Sequence, residues 1–135
     1  MPAGYSGTPL AKKLGIKEGH RVYLVNAPDY YFNLFDDLPQ INFVSDEKET
    51  VDFIHFFSKQ REELEKLFPV LKERLTKNGL MWISWPKKAS KVPTDLGDGI
   101  VRTTGLSNGL VDVKVCAVDE VWSGLKFVYR TKDRK

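Results

Sequence analysis

Between residues 51 and 86 the hydrophobic pattern changes period twice. VDFIHFF (51–57) is apolar except at Asp52 and His55, the composition of a strand covered on both faces. The period then becomes helical, with Leu64, Leu67, Phe68, Leu71 and Leu75 on one stripe and Glu62–Lys66 and Glu73–Lys77 as four-residue pairs in the favourable order. Ser58 predicts the N-cap, and Glu62 and Glu63 fall in the first turns, where the helix dipole favours acid. Pro69 predicts a kink or break near Leu67, because it removes a backbone donor, and Asn78-Gly79 predicts the stop. LMWISW (80–85) is a second continuous apolar run. Strand, helix, strand is the unit from which parallel Rossmann-like sheets are built.

The flanking segments extend this unit. RVYLVNA (21–27) has the β-branched and aromatic content of a central strand, closed by Pro28-Asp29. Before it, Thr8 predicts an N-cap, Pro9 the first helical position and Gly15 the left-handed residue past the end. Leu10 and Leu14 share a face and Ile16 completes the cap, so residues 1–19 read as a helical segment clamped onto the body. YYFNLFDD (30–37) reads as a short helix or aromatic loop. INFVS (41–45) reads as a short strand. The gap from Ser45 to Val51 is too short for a helical crossover, so that strand lies at an edge or the chain crosses the sheet end extended.

Beyond Pro86, Thr94 predicts a cap for a helix containing Leu96, Ile100 and Val101, against the presence of Gly97, Gly99 and Gly105. Asn108-Gly109 then turns into LVDVKVCAVDEVW and, across Ser123-Gly124, LKFVYR, a hairpin with an irregularity at Asp119-Glu120. Residues 131–135 read as a frayed basic tail. The expected fold is a single α/β domain over 1–135: three-layer, Rossmann-like, with a mostly parallel sheet and a C-terminal antiparallel β-hairpin.

Composition narrows the setting. A chain of 135 residues, 41% hydrophobic and 29% charged, suits one soluble domain. A single cysteine, Cys116, excludes an internal disulfide and suits a reducing cytosol. No apolar run reaches the ~20 residues of a membrane span, and the N-terminus lacks the regions of a signal peptide, so a cytoplasmic location is expected. The net charge of +3 comes with small basic clusters at Lys12-Lys13, Lys87-Lys88-Lys91 and the tail. That is weak support for nucleic acid, and solvated faces are preferred.

The loop after the first strong strand carries most of the chemical information. A dinucleotide or methyl-donor site normally has glycines there, so that backbone amides approach the ligand. This chain has Asn26-Ala27-Pro28-Asp29-Tyr30-Tyr31, in which Pro28 donates no amide and Tyr30 is bulky. Gly97-Asp98-Gly99 does not follow a clear strand and lacks a third glycine, and no G-x-x-x-x-G-K-[ST] occurs. Asp46 and Glu47 stand about twenty residues beyond Asn26, where an acid would meet a ribose in the related architecture, though DEKE also reads as a solvated turn. With two histidines, His20 and His55, and no metal-ligand spacing, no metal site is expected. His55 as a general base and Cys116 as a nucleophile are both outweighed by packed, structural readings. If the strands are parallel, their carboxyl ends gather a rim of Asn26, Asp29, Tyr30, Ser58, Trp85, Lys87 and Lys88, with Asp46 added by its spacing. Tyr30 or Trp85 would there stack on a planar ligand, and Lys87 or Lys88 would meet an anion.

Two resemblances follow from these residues. AGYSGTPLAKKLGIKEGHRVYLVNAP, with VDFIHFF and VDEVWSGLKFV, resembles a small bacterial family known as a domain of unknown function, which implies a bacterial single-domain protein and supplies no catalytic residues. More distantly, residues 51–130 resemble the second half of class I S-adenosylmethionine (SAM)-dependent methyltransferases: strand, helix, glycine, strand, then a helix and a closing antiparallel hairpin. Those proteins end their first strand in an acid and glycines, whereas this chain has Asn26-Ala27-Pro28. The resulting expectation is a degenerate scaffold without a cofactor, a non-catalytic module binding a protein or small ligand. The alternatives are a small methyltransferase-like enzyme using SAM through an atypical loop and, more weakly, a nucleic-acid accessory protein using Lys87, Lys88, Lys91 and the tail. Sequence fixes neither partner nor oligomeric state.

Overall fold

A computed structural model describes residues 9–46 and 48–134. Six strands form one sheet: β1 (Arg21–Val25), β2 (Asn42–Phe43), β3 (Val51–Phe57), β4 (Leu75–Pro86), β5 (Leu110–Ala117) and β6 (Trp122–Tyr129). Their spatial order is β2-β1-β3-β4-β6-β5. The first four run parallel and β4–β6–β5 is antiparallel, so the expected Rossmann-like sheet with a C-terminal hairpin is what forms. Helices α2 (Arg61–Arg74) and α3 (Asp98–Ser107) cover one face. The short α1 (Leu10–Leu14) and a 3-10 turn at Tyr31–Leu34 cover the other.

The alternation of each strand explains both cores. Ile54 and Phe56 of β3, Met81, Ile83 and Trp85 of β4, and Leu125 and Phe127 of β6 face α2 and α3. Phe53 and Trp82 face α1. Side chains this size, fully buried, each contribute roughly 1.5–3 kcal/mol of hydrophobic stabilisation. Trp82 is fully buried and donates its indole N–H to the Leu14 carbonyl at 2.7 Å, which fastens α1 to the sheet. Gly15 ends α1 at φ +83°, and the Ile16 amide reaches back to the Ala11 carbonyl at 3.0 Å, completing a Schellman cap. Asp37 supplies the N-terminal cap, accepting from the Ala11 and Lys12 amides at 3.2 and 3.3 Å. The expected cap, Thr8, lies outside the described residues.

The structure corrects several expected boundaries. Helix α2 runs through Pro69 without a break and stops at Arg74, four residues before Asn78-Gly79. The buried Arg74 explains the stop: its guanidinium lies 4.0 Å over the Tyr23 ring and donates to the Glu49 carbonyl at 3.1 Å and to the Asp46 carbonyl. Leu75 then pairs with Val51, and residues 76–79 form a bulge before Leu80 pairs with Phe53. Gly79 belongs to that bulge, where a Cβ would lie 2.7 Å from Leu75 Cδ1 and 3.0 Å from the Asp52 carbonyl.

Ser58 does not occupy the cap position of α2, and the first helical amide, Arg61 N–H, donates instead to Asp95 at 2.7 Å. Thr94 does not cap α3, which starts at Asp98 after Gly97; its hydroxyl donates to the Lys59 carbonyl at 2.7 Å. In the hairpin the turn is Val118–Val121, where the Asp119 carboxylate accepts the Val121 and Trp122 amides at 2.8 and 2.7 Å. Ser123-Gly124 lies inside β6, because Trp82 packs flat on Gly124: a Cβ there would be 3.0 Å from its Cε3. Residues 131–133 form an exposed 3-10 turn, with Arg134 donating to the Tyr129 carbonyl at 2.8 Å.

β2 is the edge strand, and the link from it crosses β1 to reach β3. Two strand spacings are about 10 Å, within reach of seven extended residues. Arg74 holds this crossing segment through its two carbonyl contacts.

Candidate functional site

The order β2-β1-β3-β4 is a doubly wound one, in which the chain leaves β1 to one side for β2 and to the other for β3. The crevice at the carboxyl ends of β1 and β3 is the topological switch point, where open α/β sheets bind ligands. A cleft of about 500 Å³ lies there, lined by Asn26, Pro28 and Asp29 after β1, by the Phe57–Gln60 segment and Glu63 after β3, and by Trp122 of β6.

Two features shape its floor. Asn26 has φ +57°, the left-handed conformation that glycine adopts most readily. Its amide donates to the Phe57 carbonyl at 3.1 Å and to Glu63 at 3.3 Å, tying the end of β1 to the end of β3. Glu63, in the first turn of α2, also receives the Ser58 hydroxyl at 2.7 Å, and Ser58 in turn accepts the Gln60 amide at 3.3 Å. Asparagine, serine and glutamate side chains thus tie the two strand ends together where a glycine loop would present backbone amides, and they leave a carboxylate, Glu63, at the cleft. The cleft sets the carboxylates of Asp29 and Glu63 and the ammonium of Lys59 around one space. That charge set suits a ligand carrying both signs.

The rim expected from sequence separates into two groups. Asn26, Asp29 and Ser58 line the switch-point cleft. Trp85, Lys87 and Lys88 line a neighbouring cleft of about 700 Å³, with Lys91, Val92 and Leu96. Tyr30 and Asp46 line neither. Partial burial, then hydrogen bonding to Asp119 and its charge, raise the Tyr30 phenol pKa, so Tyr30 engages the hairpin turn. The Asp46 carboxylate accepts the Lys48 amide at 2.8 Å and its carbonyl faces Arg74, which keeps it in the crossing segment.

Sequence reading missed Lys59, Gln60, Glu63 and Trp122. Glu63 has a readable signal: it lies five residues after Ser58, on the turn that faces back to a strand end. Trp122 has none, because its position depends on β6 pairing with β4, where it opposes Pro86.

His55 is fully buried behind this site. Its Nδ1 meets the Tyr31 hydroxyl at 2.9 Å, its Nε2 meets the Ser84 hydroxyl at 2.8 Å, and its ring stacks on Phe57 at 4.2 Å. Burial lowers its pKa to about 3 and pushes the Tyr31 phenol well above its usual value. With both ring nitrogens engaged, it is a neutral structural group. Among the described residues no cluster of histidine, cysteine or carboxylate could hold a metal, and no helix is long and apolar enough to cross a membrane.

No family model matches the chain, so the bacterial family suggested by the opening residues gains no support, and no curated protein matches it in sequence. Solved structures do match. A Sulfolobus solfataricus protein assigned provisionally as a type 11 methyltransferase aligns with TM-score 0.65 at 16% identity over 90% of each chain. The ribosomal protein L11 methylase of Lactobacillus delbrueckii subsp. bulgaricus aligns with TM-score 0.59 at 12% identity over 90% of this chain and 75% of that one. The magnesium protoporphyrin IX methyltransferase of Synechocystis, solved with bound SAM, aligns with TM-score 0.57 at 11% identity over 90% and 74%. These neighbours overturn the expectation of a non-catalytic module without a cofactor, because the scaffold is one that methyltransferases share. The chain carries the Rossmann-like fold of class I SAM-dependent methyltransferases.

Proposed function

We propose that this protein is a SAM-dependent methyltransferase-like enzyme that holds its methyl donor in the cleft between β1 and β3. The observation that carries the reading is the left-handed Asn26 turn bonded to Phe57 and Glu63 at the switch point. The donor set fits the methionine end of SAM. Asp29 and Glu63 complement an ammonium and a sulfonium, and Lys59 complements a carboxylate. Pro28 removes one amide from the loop, and the Asn26, Ser58 and Glu63 side chains supply polar groups in its place.

SAM, when bound, supplies an electrophilic methyl group. The chain's own residues do the rest: Asp29 and Glu63 favour positive charge in the cleft, and Phe57, Pro28 and Trp122 provide apolar walls that exclude water. His55 takes no proton from an acceptor, since it is enclosed and bonded at both nitrogens. A cytoplasmic location accompanies the reading, supported by the lone buried thiol Cys116.

The test is thermal unfolding with SAM and with S-adenosylhomocysteine (SAH). Ligand at a hundred times its dissociation constant stabilises the folded state by about 2.7 kcal/mol, visible as a raised Tm. The expected result is a rise with both compounds that disappears in Glu63→Gln. Unchanged melting at millimolar SAM and SAH refutes the proposal.

A further inference from the structure

The second cleft, beside the first, has a charge of its own. Three lysines, Lys87, Lys88 and Lys91, line it, and among the described residues none of them forms an ion pair with a carboxylate. The one acid on its lining, Asp98, is drawn toward Arg102 at 3.8 Å. Its remaining walls include Trp85, Val92 and Leu96, all apolar.

The lysines sit on a built loop. The Lys87 amide donates to the Val121 carbonyl at 2.7 Å, the Ser90 hydroxyl to the Lys87 carbonyl at 2.6 Å, and the Val92 amide to the Ser90 hydroxyl at 3.2 Å. Lys91 has φ +62°, a left-handed conformation that a non-glycine residue adopts at a cost and that the surrounding bonds keep. Three lysines on the lining of one cleft, with a single acid that is drawn to Arg102, give it a positive charge that favours an anion.

The two clefts adjoin. Lys59 lines the first while its carbonyl receives the hydroxyl of Thr94, which lines the second. Trp122 lines the first and its neighbour Ser123 the second. The geometry points to the lysine cleft as the binding site for a small molecule with an apolar body and an anionic head, a carboxylate or a phosphate. Identifying that molecule as the methyl acceptor rests on the function proposed above; the charge and shape of the site do not. The apolar walls take the body, and the ammonium groups of Lys87, Lys88 and Lys91 take the head.

The experiment is an amide NMR titration of the full chain with 2-naphthoate and with its neutral isostere 2-naphthamide, followed by SAH in the same sample. Naphthoate is expected to shift amides between Lys87 and Leu96 and at Ser123, to bind at least tenfold tighter than the amide, and to weaken as salt rises. The triple variant Lys87→Ala, Lys88→Ala, Lys91→Ala, at positions none of which is buried, should lose at least tenfold in affinity while keeping a dispersed, folded spectrum. Equal binding of acid and amide, shifts elsewhere, or an unchanged triple variant overturns the site. A short single-stranded oligonucleotide that shifts the same amides at lower concentration than naphthoate overturns it in favour of a nucleic-acid surface. Phosphate and carboxylate heads are separated by repeating the titration with naphthyl phosphate. If SAH shifts nothing near Asn26 and Ser58 while naphthoate behaves as expected, the donor reading fails and the anion site stands.

Discussion

Acidification should unfold this protein through His55 before its carboxylates titrate. The imidazole is fully buried between Phe57 and the hydroxyls of Tyr31 and Ser84, and burial holds its pKa at about 3, against 6.5 for an exposed histidine. Its folded pKa is depressed, so the unfolded chain binds the proton first. The contribution to stability is therefore complete above pH 6.5 and is lost as pH falls from there toward 3. Each pH unit in that window removes about 1.4 kcal/mol, or about 3 kcal/mol by pH 4.5, a large share of the 5–15 kcal/mol typical of a domain. Asp52 acts lower. Burial works to raise its pKa, but the Arg21 hydrogen bonds and charge outweigh burial and hold it below 3.8, so its contribution is present above 3.8 and lost below. Urea denaturation at intervals from pH 7.5 to 4.5 should show this slope in the wild type. His55→Gln should be less stable at neutral pH and should keep only the shallower slope of His20, whose pKa partial burial also lowers. Parallel slopes for the two proteins would falsify the assignment of acid sensitivity to His55.

Two further predictions concern helices. Gly105→Ala in α3 should destabilise by about 1–3 kcal/mol despite alanine's higher helix propensity, because its Cβ would lie 2.0 Å from Phe127 Cε1; chemical denaturation reads the loss, and equal or greater stability refutes the close packing. Asp95→Ala should cost about 1 kcal/mol by uncapping the Arg61 amide, and hydrogen exchange should quicken in the first turn of α2 but not in its last.

The elements that sequence reveals here are those in which one periodic face meets one core. The apolar runs of β3 and β4 and the stripe of α2 are legible because burial alone dictates them. The misread boundaries are those where a distant residue decides. Ser123-Gly124 has turn composition, yet Gly124 is small because Trp82 lies on it. Gly105 argues against a helix locally, yet α3 needs it to pass Phe127. Arg74 looks like one more solvated cation, yet it ends α2 by clasping Asp46 and Glu49. The cleft follows the same division. Asn26, Asp29 and Ser58 are found at strand ends by counting, whereas Trp122 enters only through the antiparallel pairing of β6.

The two-residue strand β2 has a consequence for building on this fold. Among the described residues nothing pairs with its outer side, a short rung beside the exposed, edge-on pair of Phe32 and Phe43. Such an end is too brief to template an unwanted partner strand, and it is also a vacant mooring. A helix and strand grafted between Asp46 and Glu49 would moor against β2 and cover both rings. The entropy of closing the longer link rises only about 0.6 kcal/mol per doubling of its length. The sheet can thus be widened from this side while the clefts at β1, β3 and β4 keep their shape.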